Sequence, residues 1–442
     1  MMDHKALYEV FQEIVVEFSE MAPTNMDEFE SKVHSAIHRL GECLIEWKLN
    51  DWNKVLREET CQECGSKVEN RKRKRQIVTL VADINYERYM SYCPGCGNTE
   101  YPLDKALGLR PFQRASSNVE ELIALCGASW DYRESEYILK KLLGRHCMSH
   151  EAICEKTNEI GKESAKEFEG SKIESLEGDK VAQGDYFEDM ELWEGPPERI
   201  YIDMDGVMIN SRDNPERMEG KVAIVWSERE LVKEDTYFLK DKRYMGSFSD
   251  TERFYWDITA EVYRRSGGEI DEAESLIRGD GASWIRSFQD RHMPRSRYIL
   301  DYYHLCERVK ECLTSVIDER KRCSEEQRSI MEYLNSDDVE GALDHIKKLK
   351  GRYRRKGKHY ALERLSGYIE RNREGIWYKE AREKGISIGT GSVEKAGDIL
   401  ICRRMKLRGM RWSRAGADAV LNIRILVANG EWDQFWRKYK SA

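Results

Sequence analysis

The stretch YIDMDGVMIN, Tyr201 to Asn210, ends an apolar run on two aspartates two positions apart. In an extended chain Asp203 and Asp205 point to one face of a strand. Two carboxylates side by side repel unless something cationic lies between them. The pair therefore suits a phosphoryl group moved onto Asp203, or metal ions held beside Asp205. Two further acids stand among glycines: Asp280 in RGDGASW, and Glu394 just after GTGS. Hard divalent cations take oxygen ligands, so three such carboxylates suit two magnesium or manganese ions at a phosphodiester. The adjoining glycines would leave room for a phosphate backbone. Asp301 and His304, in LDYYHL, follow the next strand pattern and are read, with Asp203, as supporting that edge.

The sequences CQECG and CPGCG place Cys61, Cys64, Cys93 and Cys96 in two C-x-x-C turns with 28 residues between them. Two such knuckles bring four thiolates into tetrahedral reach around a hairpin, the pattern of a structural zinc ribbon. A closed four-sulfur shell leaves no position for catalysis. The other eight of the 12 cysteines are scattered singly and read as buried or incidental thiols. That usage favours a reducing compartment. Towards the C-terminus, RRMKLRGMRWSRAGADAV sets Arg403, Arg404, Lys406, Arg408, Arg411 and Arg414 around Trp412. Basic residues interleaved with an aromatic suit a phosphate backbone and a stacked base. The alternative for Trp412 is a buried anchor beneath a surface helix. RKRKR, Arg71 to Arg75, favours nucleic acid as well, or is a solvated turn.

The elements needed to hold these groups follow from periodicity. Residues 1–57 read as N-terminal helices and 58–109 as the zinc ribbon, with RKRKR leading into hairpin strands. Residues 110–175 read as a helical domain compatible with helix-turn-helix, broken at Gly144 to Met148 and restarted behind Ser149. Residues 176–198 read as a polar linker. From 199 to 310, three successive strands (RIYIDMDGVMI, KVAIVWSE, TYFLKDKRYMG) precede an α-β-α-β run. That order is the core of the ribonuclease H-like fold: a meander leading into helix-linked parallel strands. Residues 311–384 read as a helical insertion, and 385–442 as the second part of the core, with the Glu394 helix and the basic region. The expected class is multidomain α+β.

Taken together, CPGCG with YPLDKALGL, YIDMDGVMI, GDGASWI, ILDYYHLCE, NREGIWYKEAREKGISIGTGSVE, RRMKLRGMRWSRAGADAVLNIR and NGEWDQFW resemble the Kra-type DDE transposases of prokaryotic insertion sequences. The resemblance runs from about Cys61 to Trp436. It implies Asp205, Asp280 and Glu394 as the catalytic metal-binding trio, and Asp301 and His304 as the D-x-x-H element of related transposases. It further implies binding of terminal inverted repeats in double-stranded DNA, cleavage to 3′-hydroxyl ends and transfer into target DNA, within a homodimer or higher oligomer. The net charge of −8 is a departure, since transposases are commonly basic. Charge distribution matters more than its sum, and from Ile401 onward ten Lys or Arg face three acids. A domesticated or non-catalytic zinc-ribbon DNA-binding protein is the first alternative. A haloacid-dehalogenase-type phosphatase using Asp203 is the second, although Trp284 stands where its late acid should be. No apolar run reaches membrane-spanning length, and the N-terminus lacks a signal-peptide profile. The expected location is cytoplasmic, at the nucleoid when DNA is bound.

Overall fold

The two cysteine turns bracket a β-hairpin whose turn-side halves bury Arg75, Ile77, Ile84 and Tyr86. The computed structural model describes residues 4–177, 197–213, 217–233, 236–267 and 274–440. By its internal contacts the chain divides into two units, Met1–Gly161 with Trp432–Ala442, and Lys162–Glu431.

In the first unit, β1 (Glu69–Val78) pairs antiparallel with β2 (Asp83–Tyr92), and β3 (Thr99–Glu100) adds to β2. RKRKR lies inside β1 and does not merely precede it. Four of its side chains are exposed, which a half-solvated strand tolerates. The fifth, Arg75, is buried: it pairs with Asp104 and donates to the Gln113 carbonyl at 2.8 Å. The turn comes only at Thr79, whose hydroxyl donates to the Ala82 carbonyl at 2.8 Å. Ile77, Ile84, Tyr86, Leu103 and Leu49 form a core between this hairpin and helix Met26–Val55. Helices Ser117–Ser129, Tyr132–Leu142 and the start of His150–Glu177 enclose a second cluster of Val119, Ile123, Leu139 and Ile153. Gly144 takes φ +67°, which ends the preceding helical run where the sequence predicts a break. Helix His150–Glu177 runs two residues into the expected linker, and 178–196 lie outside the described residues.

The second unit is built on β4 (Arg199–Asn210). Ile200, Ile202 and Met204 alternate with Tyr201 and Asp203, and all five are buried, as a central strand requires. Next come β5 (Arg217–Trp226), β6 (Glu228–Lys233), β7 (Thr236–Lys240), β8 (Arg243–Ser247), β9 (Glu274–Gly279) and β10 (Arg297–Leu300). The main sheet has the order β10-β9-β4-β5-β8. Its β4, β5 and β8 are antiparallel, while β9 and β10 add in parallel on the other side of β4. The run TYFLKDKRYMG is not one strand. Asp241 takes φ +43° and divides it, so β7 pairs with β6 in a separate ribbon while β8 joins the sheet. Helix Thr251–Arg265 carries the chain from β8 towards β9, and helix Ser283–His292 from β9 to β10. After β10 the described residues form no further strand, and helices Tyr302–Val316, Arg320–Asn335, Val339–Gly351 and Lys356–Arg371 follow in turn. The architecture is multidomain α+β with mixed sheets. Among the described residues no helix is long and apolar enough to cross a membrane.

Candidate functional site

Asp205 lies in β4 and is half-buried, with one carboxylate oxygen accepting from the Gly206 N–H at 2.7 Å. Asp280 follows β9 directly and is also half-buried; its Oδ1 accepts from the Ala282 N–H at 2.9 Å. Glu394 is exposed on the short helix Gly391–Gly397, which packs against β4 and β5. Burial pushes the Asp205 carboxyl up to about 6; the Gly206 N–H and His304 oppose this, and the negative charges of Asp280 and Glu394 add to it. Charges separated in sequence thus act on one another at a single edge of the sheet. They do not form a closed ligand set. Among the described residues, only Cys61, Cys64, Cys93 and Cys96 bring ligand atoms all within 4.8 Å of one another.

Two buried carboxylates hold this edge together. Asp203 is fully buried and accepts from Arg278 twice, Nε to Oδ1 at 2.6 Å and Nη2 to Oδ2 at 2.7 Å. Its Oδ2 also accepts from the Trp226 indole N–H at 2.8 Å and from the Ser392 hydroxyl. Both oxygens are thereby engaged inside the core, so Asp203 is no exposed nucleophile and the phosphatase alternative loses its central residue. Asp301 caps helix Tyr302–Val316, accepting from the His304 N–H at 2.6 Å, and its Oδ2 accepts from the Thr390 N–H and hydroxyl, each at 2.6 Å. Its Oδ1 lies 3.1 Å from His304 Nδ1. The His304 imidazole is pushed up to about 9, chiefly by that bond to Asp301, with Asp205 and Asp280 contributing. That direction favours the protonated ring, and Asp205 and Asp280 are among the charges that act on it.

Of the glycines beside the acids, Gly391 has open space where a Cβ would stand, while Gly206 and Gly281 do not. Gly281 takes φ +84°, and a Cβ there would meet the Asn372 carboxamide at 2.7 Å. The helical insertion closes on the same turn, where Tyr368 donates its hydroxyl to the Asp280 carbonyl at 2.7 Å. Of the basic group, Arg404 and Trp412 are buried, with the Trp412 indole N–H donating to the Met405 carbonyl at 3.1 Å and the Arg404 guanidinium over its ring. Trp412 is therefore an anchor, not a stacking platform. Its backbone pairs with the end of β4, through its N–H to the Asn210 carbonyl at 3.0 Å. Arg403 pairs with Asp398 at 2.9 Å, and Arg414 donates to the Phe248 carbonyl. Lys406, Arg408 and Arg411 remain exposed on the intervening turn. Reading the sequence missed Arg278, Trp226, Ser392 and Tyr368. Arg278 did leave a signal, since a cation inside the apolar run SLIRG demands a buried acid.

The cysteine turns are near-copies. Cys61 N–H donates to the Ser66 carbonyl and Gly65 N–H to the Cys61 carbonyl; Cys93 and Gly97 repeat this with Asn98 and Cys93. Gly65 and Gly97 take φ +70° and +77°, which such turns require. Cys61 Sγ lies 3.6 Å from Cys96 Sγ, and Cys64 Sγ 3.4 Å from Cys93 Sγ. Hydrogen bonds from the Ser66 hydroxyl and backbone hold the Cys64 thiol down to about 6, towards the thiolate. The four could hold a metal such as zinc, whose soft tetrahedral demand this donor set meets. Elemental analysis of the purified chain should find about one zinc, and Cys93→Ser should lose it together with the cooperative melting of the first unit.

A chain with this mixed sheet, helical insertion and four-cysteine hairpin belongs to a class of multidomain α+β proteins. Residues 21–440 match the model of the uncharacterised protein family UPF0236, and the chain is a member of that family. Among its relatives, the UPF0236 protein in the vanSb 3′ region of Streptococcus gallolyticus is 23% identical over 82% of this chain and 74% of that one. UPF0236 protein TTE2489 of Caldanaerobacter subterraneus subsp. tengcongensis is 24% identical over 92% of this chain and 79% of its own. Another relative from that organism, 23% identical over 92% of this chain and 78% of its own, has a name joining eleven locus labels, from TTE0033 to TTE2212.

Proposed function

We propose that this protein is a DDE transposase that cuts the ends of a DNA element to 3′-hydroxyls and joins them to target DNA. The observation that supports the reading is that Asp205 in β4 and Asp280 directly after its parallel neighbour β9 stand on adjacent strands, with the charges of Asp280 and Glu394 both raising the Asp205 carboxyl. Antiparallel β4, β5 and β8 followed by helix-linked parallel β9 and β10 suit a ribonuclease H-like core, and the four-cysteine hairpin suits a structural zinc ribbon. The carboxylates fit a hard divalent cation by donor chemistry, and Asp205, raised first by burial, is raised further by the charges of Asp280 and Glu394. Asp205, Asp280 and Glu394 would hold it. When bound, a pair of magnesium or manganese ions supplies an activated water or 3′-hydroxyl and charge neutralisation at the phosphate. Asp301 fixes the His304 ring, which would balance part of the acidic group when protonated. Lys406, Arg408 and Arg411 are the exposed cations on the turn that Trp412 anchors, and they would receive a DNA backbone. The relative whose name joins eleven locus labels adds support, since recurrence across one genome is the mark of an element that copies itself.

Labelled duplexes carrying the ends that flank the gene should be nicked to 3′-hydroxyls in magnesium or manganese. Bound duplex that stays intact in both metals would overturn the reading. The acids' failure to close as tightly as the cysteines favours one rival, a non-catalytic DNA-binding descendant, which gives that second result. Replacing Lys406, Arg408 and Arg411 together by alanine should weaken duplex binding and flatten its log–log salt dependence by about 2 to 3. An unchanged slope would remove the turn from the interface.

A further inference from the structure

The segment Ser387–Ser392 runs from a loop into the first turn of the Glu394 helix, and three buried groups from three different strands or strand ends grip it. Arg278 of β9 donates from Nη1 to the Ser387 carbonyl at 2.9 Å. Asp301, just past β10, takes both donors of Thr390, and the Tyr302 N–H donates to the Ile388 carbonyl at 3.2 Å. Asp203 of β4 takes the Ser392 hydroxyl. Arg278 and Asp203 are also each other's partners, so the first and last grips are one ion pair. The loop itself is short of apolar anchors, with Ile386 before it and Val393 after it as its nearest buried aliphatics. Glu394 sits two residues beyond the last grip and is exposed; its backbone N–H donates to the Thr390 carbonyl at 3.3 Å, while among the described residues its carboxylate takes no hydrogen bond.

We infer that Ser392 is a positioning residue, which through its hydroxyl bond to Asp203 sets where the Glu394 carboxylate stands relative to Asp205 and Asp280. This rests on the transposase reading for its purpose but not for its geometry. Ser392 is the point to test, because its removal leaves the Asp203–Arg278–Trp226 set intact and costs the core little. In the full-length, zinc-loaded protein, Ser392→Ala should speed amide exchange over Thr390–Gly397 by about fivefold, as loss of one net hydrogen bond implies, while β4 and β9 stay protected. The same variant should weaken Mn²⁺ binding in titration calorimetry by about tenfold, the usual effect of freeing a ligand from its supporting bond. Ser392→Thr, which keeps the hydroxyl, should restore both. Unchanged exchange would overturn the grip. Faster exchange with unchanged Mn²⁺ affinity would overturn the positioning role, and so would a wild-type protein that binds no Mn²⁺ beside the zinc. If the wild type binds Mn²⁺ and never cuts DNA, the transposase reading fails, while a Ser392→Ala loss of affinity still upholds the inference.

Discussion

Asp280→Asn is expected to lower strand cleavage by on the order of 10³-fold or more while leaving duplex binding within about twofold. Asparagine is the better probe than alanine here. Asp280 Oδ1 accepts from the Ala282 N–H, and its backbone carbonyl accepts from Tyr368, so truncation would loosen the turn as well as remove the charge. The amide keeps an acceptor in place and deletes only the negative charge. A second measurement separates charge from fold. Divalent metal should raise the wild-type melting temperature, because binding to the native acids alone stabilises by roughly 2.7 kcal/mol at a hundredfold excess over the dissociation constant. In Asp280→Asn that metal-induced rise should shrink sharply, while the metal-free melting temperature stays equal or increases, since one of the charges pressing on Asp205 is gone. Cleavage at the wild-type rate by this variant would take Asp280 out of the mechanism.

The parts of the fold that were legible are those where pattern and burial coincide. The β4 sequence opens on a nearly continuous apolar run because both faces are covered there, and the C-x-x-C-G turns repeat because each needs a glycine at positive φ. The split of TYFLKDKRYMG was not legible, since an aspartate at φ +43° breaks a strand without a glycine or proline to announce it. Long-range pairing was the harder loss. Asp203 and Asp205 look equivalent in sequence, two residues apart on one face. Their roles diverge only because Arg278, 75 residues away, arrives on the neighbouring parallel strand at the register of Asp203. The same holds for the basic cluster. Spacing marks Trp412 as an aromatic among cations, but its backbone pairing with Asn210 turns the ring inward. Candidate acids could be named one by one from residue type; which carboxylate is buried as structure and which faces outward is fixed by partners that spacing does not reveal.

That division of labour makes Arg278 the most sensitive position of the second unit. Its guanidinium is 1% exposed, lies over the stacked Tyr201 and Trp226 rings at 5.0 and 5.2 Å, and satisfies both oxygens of Asp203. Arg278→Met keeps most of the volume and strands a buried carboxylate with only the Trp226 and Ser392 donors. Removing one partner of such a pair costs about 3–5 kcal/mol, because the remaining charge stays out of water. For a unit of this size that corresponds to a fall in melting temperature of roughly 10 °C. The double variant Asp203→Leu/Arg278→Met should recover most of that loss, since an apolar pair of similar volume often matches a buried ion pair in stability. It should not recover the grip on Ser387 and Ser392, because neither new side chain can donate or accept there. Recovered melting with amide exchange still fast over Thr390–Gly397 would show that the ion pair orders the glutamate-bearing loop beyond its part in holding the sheet. Equal melting temperatures for wild type and Arg278→Met, measured by calorimetry, would mean that the carboxylate finds another partner and that the buried pair is not what secures this edge.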